Sequence, residues 1–311
     1  MCAQSIKRPR IRDATDEFIM LGPASQPETL RMHVVTAGKG PPLLLLHGAP
    51  QNHLAWETLI HRYAQHFRVI CPDLRGAGWT DAPRDGYDPA SLMSDLKALL
   101  EHYGLAKVRI VAHDWSAIVA FMLAIRQPEL VEALVIISIP DLFVKPDFRV
   151  IKLLKAGWFE LVLPLPIIGA LATRSGRQSM LRYMFTLTGS AYSGPVPHTG
   201  LYLQLLRDPA RARALSRLYR ATIVPTLIGL VLGRYRKMSL QVPTLQIFGD
   251  EDPAANLMNM GRHQGRSRTL HFERVPNAGH FVLDEAPNEV LLRTMSFFDQ
   301  INSLDSPAVQ D

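Results

Sequence analysis

Apolar residues fall along this chain in short runs separated by polar turns. Leu43–Leu46, Arg68–Cys71, Val108–Val111, Leu134–Ser138 and Pro243–Phe248 read as strands, buried on both faces where the run is continuous. Glu17–Met20 and Arg31–Thr36 predict two earlier strands joined through a Pro/Ser-containing turn, and Thr269–Glu273 predicts a last one. Helical spacing lies between them. Trp56–Tyr63, Ser91–Tyr103 (Leu92, Leu96, Leu99 and Leu100 on one side), Ala117–Ile125 and a closing Glu289–Ile301 read as helices. Such alternation with short connections predicts an α/β fold, a mostly parallel sheet covered on both faces. Ser303–Asp311 reads as a disordered tail.

The alternation breaks between residues 141 and 240, where helical periodicity persists without a clear strand. The expected division is a core of residues 1–140 and 241–311 with a helical insertion, 141–240, after the sixth strand. Ala156–Ala172 is apolar enough to resemble a membrane span, but Glu160, Pro164 and Pro166 interrupt it. It falls short of the roughly 20 clean residues a bilayer needs, so it reads as one buried helix of the insertion. Asp208-Pro209 is a good helix start, an N-cap followed by a favoured first-turn proline. Ile223–Leu232 is a second apolar patch.

One junction has almost no loop. The strand Val108–Val111 runs through Ala112-His113-Asp114-Trp115-Ser116 straight into the helix from Ala117. A strand turning directly into a helix forces its apex residue into a strained conformation and lifts that side chain clear of the sheet, above fresh helix N–H groups. Small residues are needed two before and two after the apex. Centred on Asp114 these are Ala112 and Ser116; centred on Ser116 one would be the bulky Ile118. Asp114 is therefore the expected exposed residue, and aspartate also tolerates positive φ. The simpler alternative is an N-cap role for its side chain.

Composition places the chain among ordinary globular proteins, with 47% hydrophobic and 20% charged residues. The net charge of +6 is uneven. Residues 141–240 hold 15 Lys and Arg against 4 Asp and Glu, a balance of +11, and the remainder 19 against 24, a balance of −5. The basic residues are scattered among Leu, Ile and Met, which argues against nucleic-acid binding. An anionic substrate tail or an anionic membrane surface at the insertion suits that charge better. Cys2 and Cys71 do not form a disulfide framework. Residues 1–13 lack an apolar signal core, so a cytoplasmic location is expected. No phosphate loop or metal-ligand spacing is present, so neither cofactor nor metal is implied.

Asp114, Asp252 and His280 each follow a predicted strand at its C-terminal end, where open α/β sheets place their sites. With His47-Gly48-Ala49-Pro50, Asp73-Leu74-Arg75-Gly76, Gly249-x-x-Asp252 and Gly279-His280-Phe281, they resemble the α/β-hydrolase superfamily, in its aspartate-nucleophile branch of epoxide hydrolases and haloalkane dehalogenases. The resemblance covers nearly the whole chain. It implies the α/β-hydrolase fold with a helical cap after the sixth strand, and Asp114 as nucleophile forming an alkyl ester. His280, oriented by Asp252, would activate water, and the backbone N–H groups of Ala49 and Trp115 would form the oxyanion hole. The family spacing selects Asp252 over Asp250. His47 and His113 read as loop supports, and the other histidines, His33 and His53 among them, as surface or packing residues.

An opened epoxide also needs a proton donor facing the nucleophile. Leu218-Tyr219-Arg220 resembles the cap Tyr-Arg motif that carries one. The second family tyrosine is replaced by Phe159 in Trp158-Phe159, leaving Tyr183, Tyr192 or Tyr219 alone to act. The expected substrate is a small lipophilic epoxide, with water as co-substrate. A haloalkane dehalogenase would use the same three residues with Trp115, and Trp158 as a second candidate, holding halide; the Asn that many such enzymes carry after His-Gly is Ala49 here. A silent binding protein on the same scaffold is the remaining alternative.

Overall fold

The structure, a computed structural model, describes residues 6–22, 29–143, 157–253, 255 and 270–305. Eight strands form one sheet: β1 (Thr15–Leu21), β2 (Leu30–Ala37), β3 (Pro42–Leu46), β4 (Arg68–Pro72), β5 (Val108–His113), β6 (Val131–Ile137), β7 (Thr244–Gly249) and β8 (Leu270–Val275). Their order is β1-β2-β4-β3-β5-β6-β7-β8. β2 runs antiparallel to β1 and β4, and every other pairing is parallel. The order explains the continuous apolar runs. Every residue of β5 is buried, because β3 and β6 flank it and helices cover both faces.

α1 (Glu57–Tyr63), α2 (Pro89–His102), α3 (Trp115–Arg126) and α10 (Pro287–Asp305) accompany the sheet, with a short α9 (Val282–Glu285) before the last. α2 begins two residues ahead of the predicted start. Asp88 accepts hydrogen bonds from the Ala90 and Ser91 amides, and Pro89 takes the first helical position, where no N–H is needed. α3 is buried from Trp115 to Ala124, as an all-round apolar helix must be. The closing helix is longer than its periodicity suggested, since Ser303 to Asp305 continue it; the rest of the predicted tail lies outside the described residues.

Residues 157–240 contain helices and no strand among the described residues: α4 (Phe159–Val162), α5 (Ile168–Arg174), α6 (Ser179–Met184), α7 (Thr199–Leu205) and α8 (Pro209–Val231). The single helix expected over Ala156–Ala172 is not formed. The chain breaks between α4 and α5, where Pro164 and Pro166 lack amide donors and Ile167 turns to φ 66°. α8 starts at Asp208-Pro209 as predicted, the Asp208 carboxylate accepting from the Ala210 amide at 2.7 Å. It absorbs the second apolar patch and contains a π-helical turn, Tyr219–Ile223. α8 is long and apolar enough to cross a membrane, yet 56% of its most apolar window is buried in the fold.

This helical layer is bolted to loops at the C-terminal ends of the strands. Buried Arg211 on α8 donates to the Gly78 and Thr80 carbonyls at 2.6 and 3.0 Å, and Thr222 donates to the Tyr87 carbonyl at 2.6 Å. On the other side, one Glu285 carboxylate oxygen accepts from the Gly189 and Gly279 amides at 2.6 and 2.8 Å.

Candidate active site

The turn from β5 into α3 puts Asp114 at φ 55°, ψ −139°. Its amide donates to the Ile137 carbonyl and its own carbonyl accepts from Ala117. Ser116, the small residue after the apex, bonds back to the His113 carbonyl at 2.8 Å and the Leu46 carbonyl at 3.2 Å. A bulkier side chain there would collide with the strand it clasps.

The Asp114 side chain is not an N-cap. One oxygen, Oδ2, accepts the Ala49 amide at 2.8 Å, and the carboxylate also takes a bond from the Trp115 amide. The loop that brings Ala49 so close needs Gly48. A Cβ there would lie 2.7 Å from the Asp114 Cβ and 2.8 Å from the His113 ring. The other oxygen, Oδ1, faces His280 Nε2 at 3.9 Å. His280 donates from Nδ1 to Asp252 at 3.0 Å. Asp250 stands apart: its amide bonds to the Val275 carbonyl and one side-chain oxygen is buried without a partner. The structure thus brings Asp114, His280, Asp252, Ala49 and Trp115 together as one group.

Charge and burial compete here. Burial pushes the Asp114 carboxyl above the usual aspartate range, against the pull of His280 and the two amides. Burial would depress His280, but the Asp252 and Asp114 carboxylates overcome it and hold the imidazole at about 9. The His280 backbone is fixed too. Its carbonyl accepts from His113 Nε2 at 3.0 Å and the Ser138 hydroxyl at 2.8 Å, and its amide donates to Leu187. Burial and the His280 charge push His113 down to about 3, which keeps it a neutral Nε2–H donor. His47 accepts the Leu74 amide and donates to the Gly48 carbonyl. Both therefore support loops.

Tyr219 opens the π turn of α8, a distortion common at functional positions. Burial first, then the charges of Asp114 and Glu160, push its phenol well above the usual value, so it remains a proton donor. The other two tyrosines are placed differently. Tyr183 packs its ring against Trp158 and Phe159, with centroids 5.8 and 6.4 Å away. Tyr192 is turned to the Pro195 carbonyl at 3.5 Å. Trp158 is 40% exposed beside Tyr183, and Trp115 is buried edge-on to His47.

Three features escaped sequence reasoning. Glu160, in sequence only an interruption of an apolar run, lies within electrostatic reach of Asp114, His280 and Tyr219; a lone acid in such a run is the available signal. Glu285 joins the 189 and 279 loops. Most distant from any motif, His33 and His53, expected as surface or packing residues, are fully buried and hydrogen-bonded around Asp73. Asp73 accepts from His33 Nδ1, His53 Nδ1, and the His53 and Trp79 amides, all at 2.8–2.9 Å. His33 Nε2 reaches Asp16 at 2.6 Å. The spacing of His33, His53 and Asp73 would admit an ion, but the facing nitrogens and carboxylate oxygens are already bonded to one another, so the residues form a closed hydrogen-bonded cluster.

The sheet order, the elbow and the residues on it define a class. The α/β-hydrolase fold model matches residues 41–191, and the chain has the α/β-hydrolase fold. Epoxide hydrolases are among the proteins it is similar to. A soluble epoxide hydrolase of Corynebacterium sp. (strain C12) is 45% identical over 118 residues, which span 38% of this chain and 41% of that protein. Mouse epoxide hydrolase 3 is 27% identical over 84% of this chain and 72% of its own length. Among solved structures, the ligand-free epoxide hydrolase CorEH superposes with a TM-score of 0.76 at 27% identity, covering 93% of this chain and 99% of the other.

Proposed function

We propose that the protein is an epoxide hydrolase that opens an epoxide to a vicinal diol, with residues 141–240 as a cap over the site. One observation carries this reading: the side chain at the elbow is a carboxylate bonded by the Ala49 and Trp115 amides, with Oδ2 on the Ala49 amide and Oδ1 3.9 Å from His280 Nε2. A serine there would suit ester substrates; a carboxylate suits attack on an alkyl carbon. Relatives named epoxide hydrolases support the same substrate class.

In this reading Asp114 Oδ1 attacks an epoxide carbon, the C–O bond breaks, and an ester forms on Asp114. Tyr219 hydrogen-bonds the departing oxygen. Water deprotonated by His280 then adds to the Asp114 carbonyl carbon, and the Ala49 and Trp115 amides hold the oxyanion at Oδ2. Collapse expels the diol carrying Oδ1. A cavity of about 40 Å³ beside Ala49 and Trp115 is bounded by the apolar Leu205, Leu215 and Leu218 and by the polar Gln51, Asn52 and Arg211; its apolar side is in keeping with a lipophilic substrate. The test is a single turnover of styrene oxide in ¹⁸O-water with enzyme in excess. The first diol should be unlabelled and the Asp114 peptide should gain one ¹⁸O. Label in the first diol would mean direct attack by water and would overturn the ester route.

We also infer that the cap rests on anionic membranes. Nine of the exposed large apolar side chains among the described residues lie between 158 and 232, including Leu161, Ile167, Ile168, Val231 and Leu232, on the segment that holds the excess positive charge. Both attractions act together at such a surface. The protein should sediment with phosphatidylserine vesicles and be released by Ile167→Asp plus Leu232→Asp. Full recovery of the wild type in the supernatant would refute this.

A further inference from the structure

The departing epoxide oxygen needs a proton, and Phe159 leaves the first cap helix without a tyrosine hydroxyl. Tyr183 and Tyr192 are turned to other neighbours. The next residue on that helix is Glu160. We propose that Glu160, protonated, is the second proton donor of the site, acting beside Tyr219 on the epoxide oxygen. The proposal rests on the epoxide hydrolase reading and names a residue for its least provided step.

Placement supports it. α4 and the turn after it are fixed to α8. The Ser216 hydroxyl donates to the Leu165 carbonyl at 3.5 Å. Gly169 lies so close to the Leu163 carbonyl and the Ser216 hydroxyl that a Cβ would fall 2.1 and 2.9 Å from them. The turn after α4 is thus packed on α8 one helical turn before Tyr219, and Glu160 and Tyr219 both lie within electrostatic reach of Asp114. Among the described residues neither the Glu160 carboxyl nor the Tyr219 hydroxyl has a hydrogen-bond partner, so both are free to meet a ligand oxygen. Glu160 lies in the first turn of α4, but its side chain makes no capping hydrogen bond and, among the described residues, pairs with no arginine of the cap.

The groups facing Glu160 set its protonation. Burial, then the negative charge of Asp114 from the elbow, raise its carboxyl, and His280 from the loop after β8 opposes them; the balance is about 7. Tyr219 from α8 is neutral. A carboxyl so placed holds its proton over a range in which free glutamate would have lost it.

The proton balance closes. As Asp114 Oδ1 bonds to carbon and the C–O bond breaks, the oxygen takes the Glu160 proton and becomes the first hydroxyl. His280, having released its resting proton to solvent once Asp114 is esterified, takes a proton from the attacking water, and it regains one from solvent when the Asp114 carboxylate is restored. When the ester collapses, the leaving Oδ1 needs one proton and Glu160 needs one; water supplies both, the first through His280 and the second as the remaining hydrogen on the carboxyl restored at Asp114. Asp114 ends as a carboxylate, Glu160 as an acid, and the net reaction is epoxide plus water to diol.

The experiment compares wild type, Glu160→Gln and Glu160→Asp on styrene oxide across pH 5–9. Wild-type kcat/KM should fall as pH rises through the ionisation of Glu160. Glu160→Gln should lose about a hundredfold, the usual worth of a general acid, together with that alkaline limb, and Glu160→Asp should regain a limb at altered pH. In a His280→Gln background, Glu160→Gln should slow ester formation from the epoxide and leave alkylation by 1-bromobutane, which needs no proton, unchanged. That last comparison separates a lost donor from a lost fold. A Glu160→Gln enzyme with wild-type rate and pH profile would overturn the proposal alone. A wild type that opens no epoxide and, as His280→Gln, forms no adduct would overturn the epoxide reading and this inference with it.

Discussion

Asp114→Asn is expected to lower epoxide turnover by at least about 10⁴-fold, on the scale of removing a nucleophile from a hydrolase. His280→Gln should be equally inactive in steady state but should differ in mass. Because the ester can form while water is no longer activated, intact His280→Gln protein should gain the full mass of one epoxide, and the double variant with Asp114→Asn should gain nothing. Asparagine offers Oδ1 without charge. It would keep the two amide bonds at the elbow, so the fold should survive. A mass gain equal to a haloalkane minus hydrogen halide, with none from epoxides, would assign the dehalogenase reading. No adduct from either class would favour a silent scaffold.

The largest effect on stability is expected at Asp73, remote from the reacting atoms. Both its oxygens are saturated with donors in a place without solvent. Asp73→Asn would aim amide hydrogens at those donors and remove the anion that His33 faces. The expected loss is about 3–5 kcal/mol, the range for breaking one side of a buried ion pair, measured by urea unfolding. The pH dependence has two edges. Burial opposes ionisation of Asp73, but the two imidazoles hold its carboxyl well below the usual range. Its contribution is therefore present above the unfolded value of about 3.9 and is lost as pH falls through the depressed folded one. Burial works against the His33 cation, and Asp73 and Asp16 outweigh it, so its folded value is raised. That contribution is full below the unfolded value of about 6.5 and is lost as pH rises through the folded value. The wild type should thus weaken at both ends, and Asp73→Asn should flatten both limbs. An unchanged pH–stability curve in the variant would show that the cluster carries no such linkage.

These two residues mark what a single chain reveals. Asp114 is legible because its requirement is local: a strand run, a helix run, and small residues at 112 and 116 leave one candidate apex. Asp252 and His280 are legible by their positions after strands, and Asp252 is separated from Asp250 by the spacing from Gly249. Asp73 and His33 sit 40 positions apart and meet because β2 pairs antiparallel with β4, and strand order leaves no trace in local periodicity. The same limit applies to the cap. Its helical character shows in the spacing of Leu and Ile, but the break at Pro164–Ile167 and the π turn at Tyr219 depend on how α4, α5 and α8 pack. Glu160 gains meaning only when that packing brings it within electrostatic reach of Asp114.

The 3.9 Å between Asp114 and His280 has a consequence in time. While Asp114 is an anion, its charge helps to keep the imidazole protonated, and a protonated imidazole cannot take a proton from water. In the proposed cycle, esterification would erase that charge. His280 would then lose one of the two carboxylates that sustain it, its proton affinity would drop, and it would become a base once there is an ester to hydrolyse. Asp114 would thus act as an interlock: its consumption would arm the second half of the cycle, and the diol's departure would reset it.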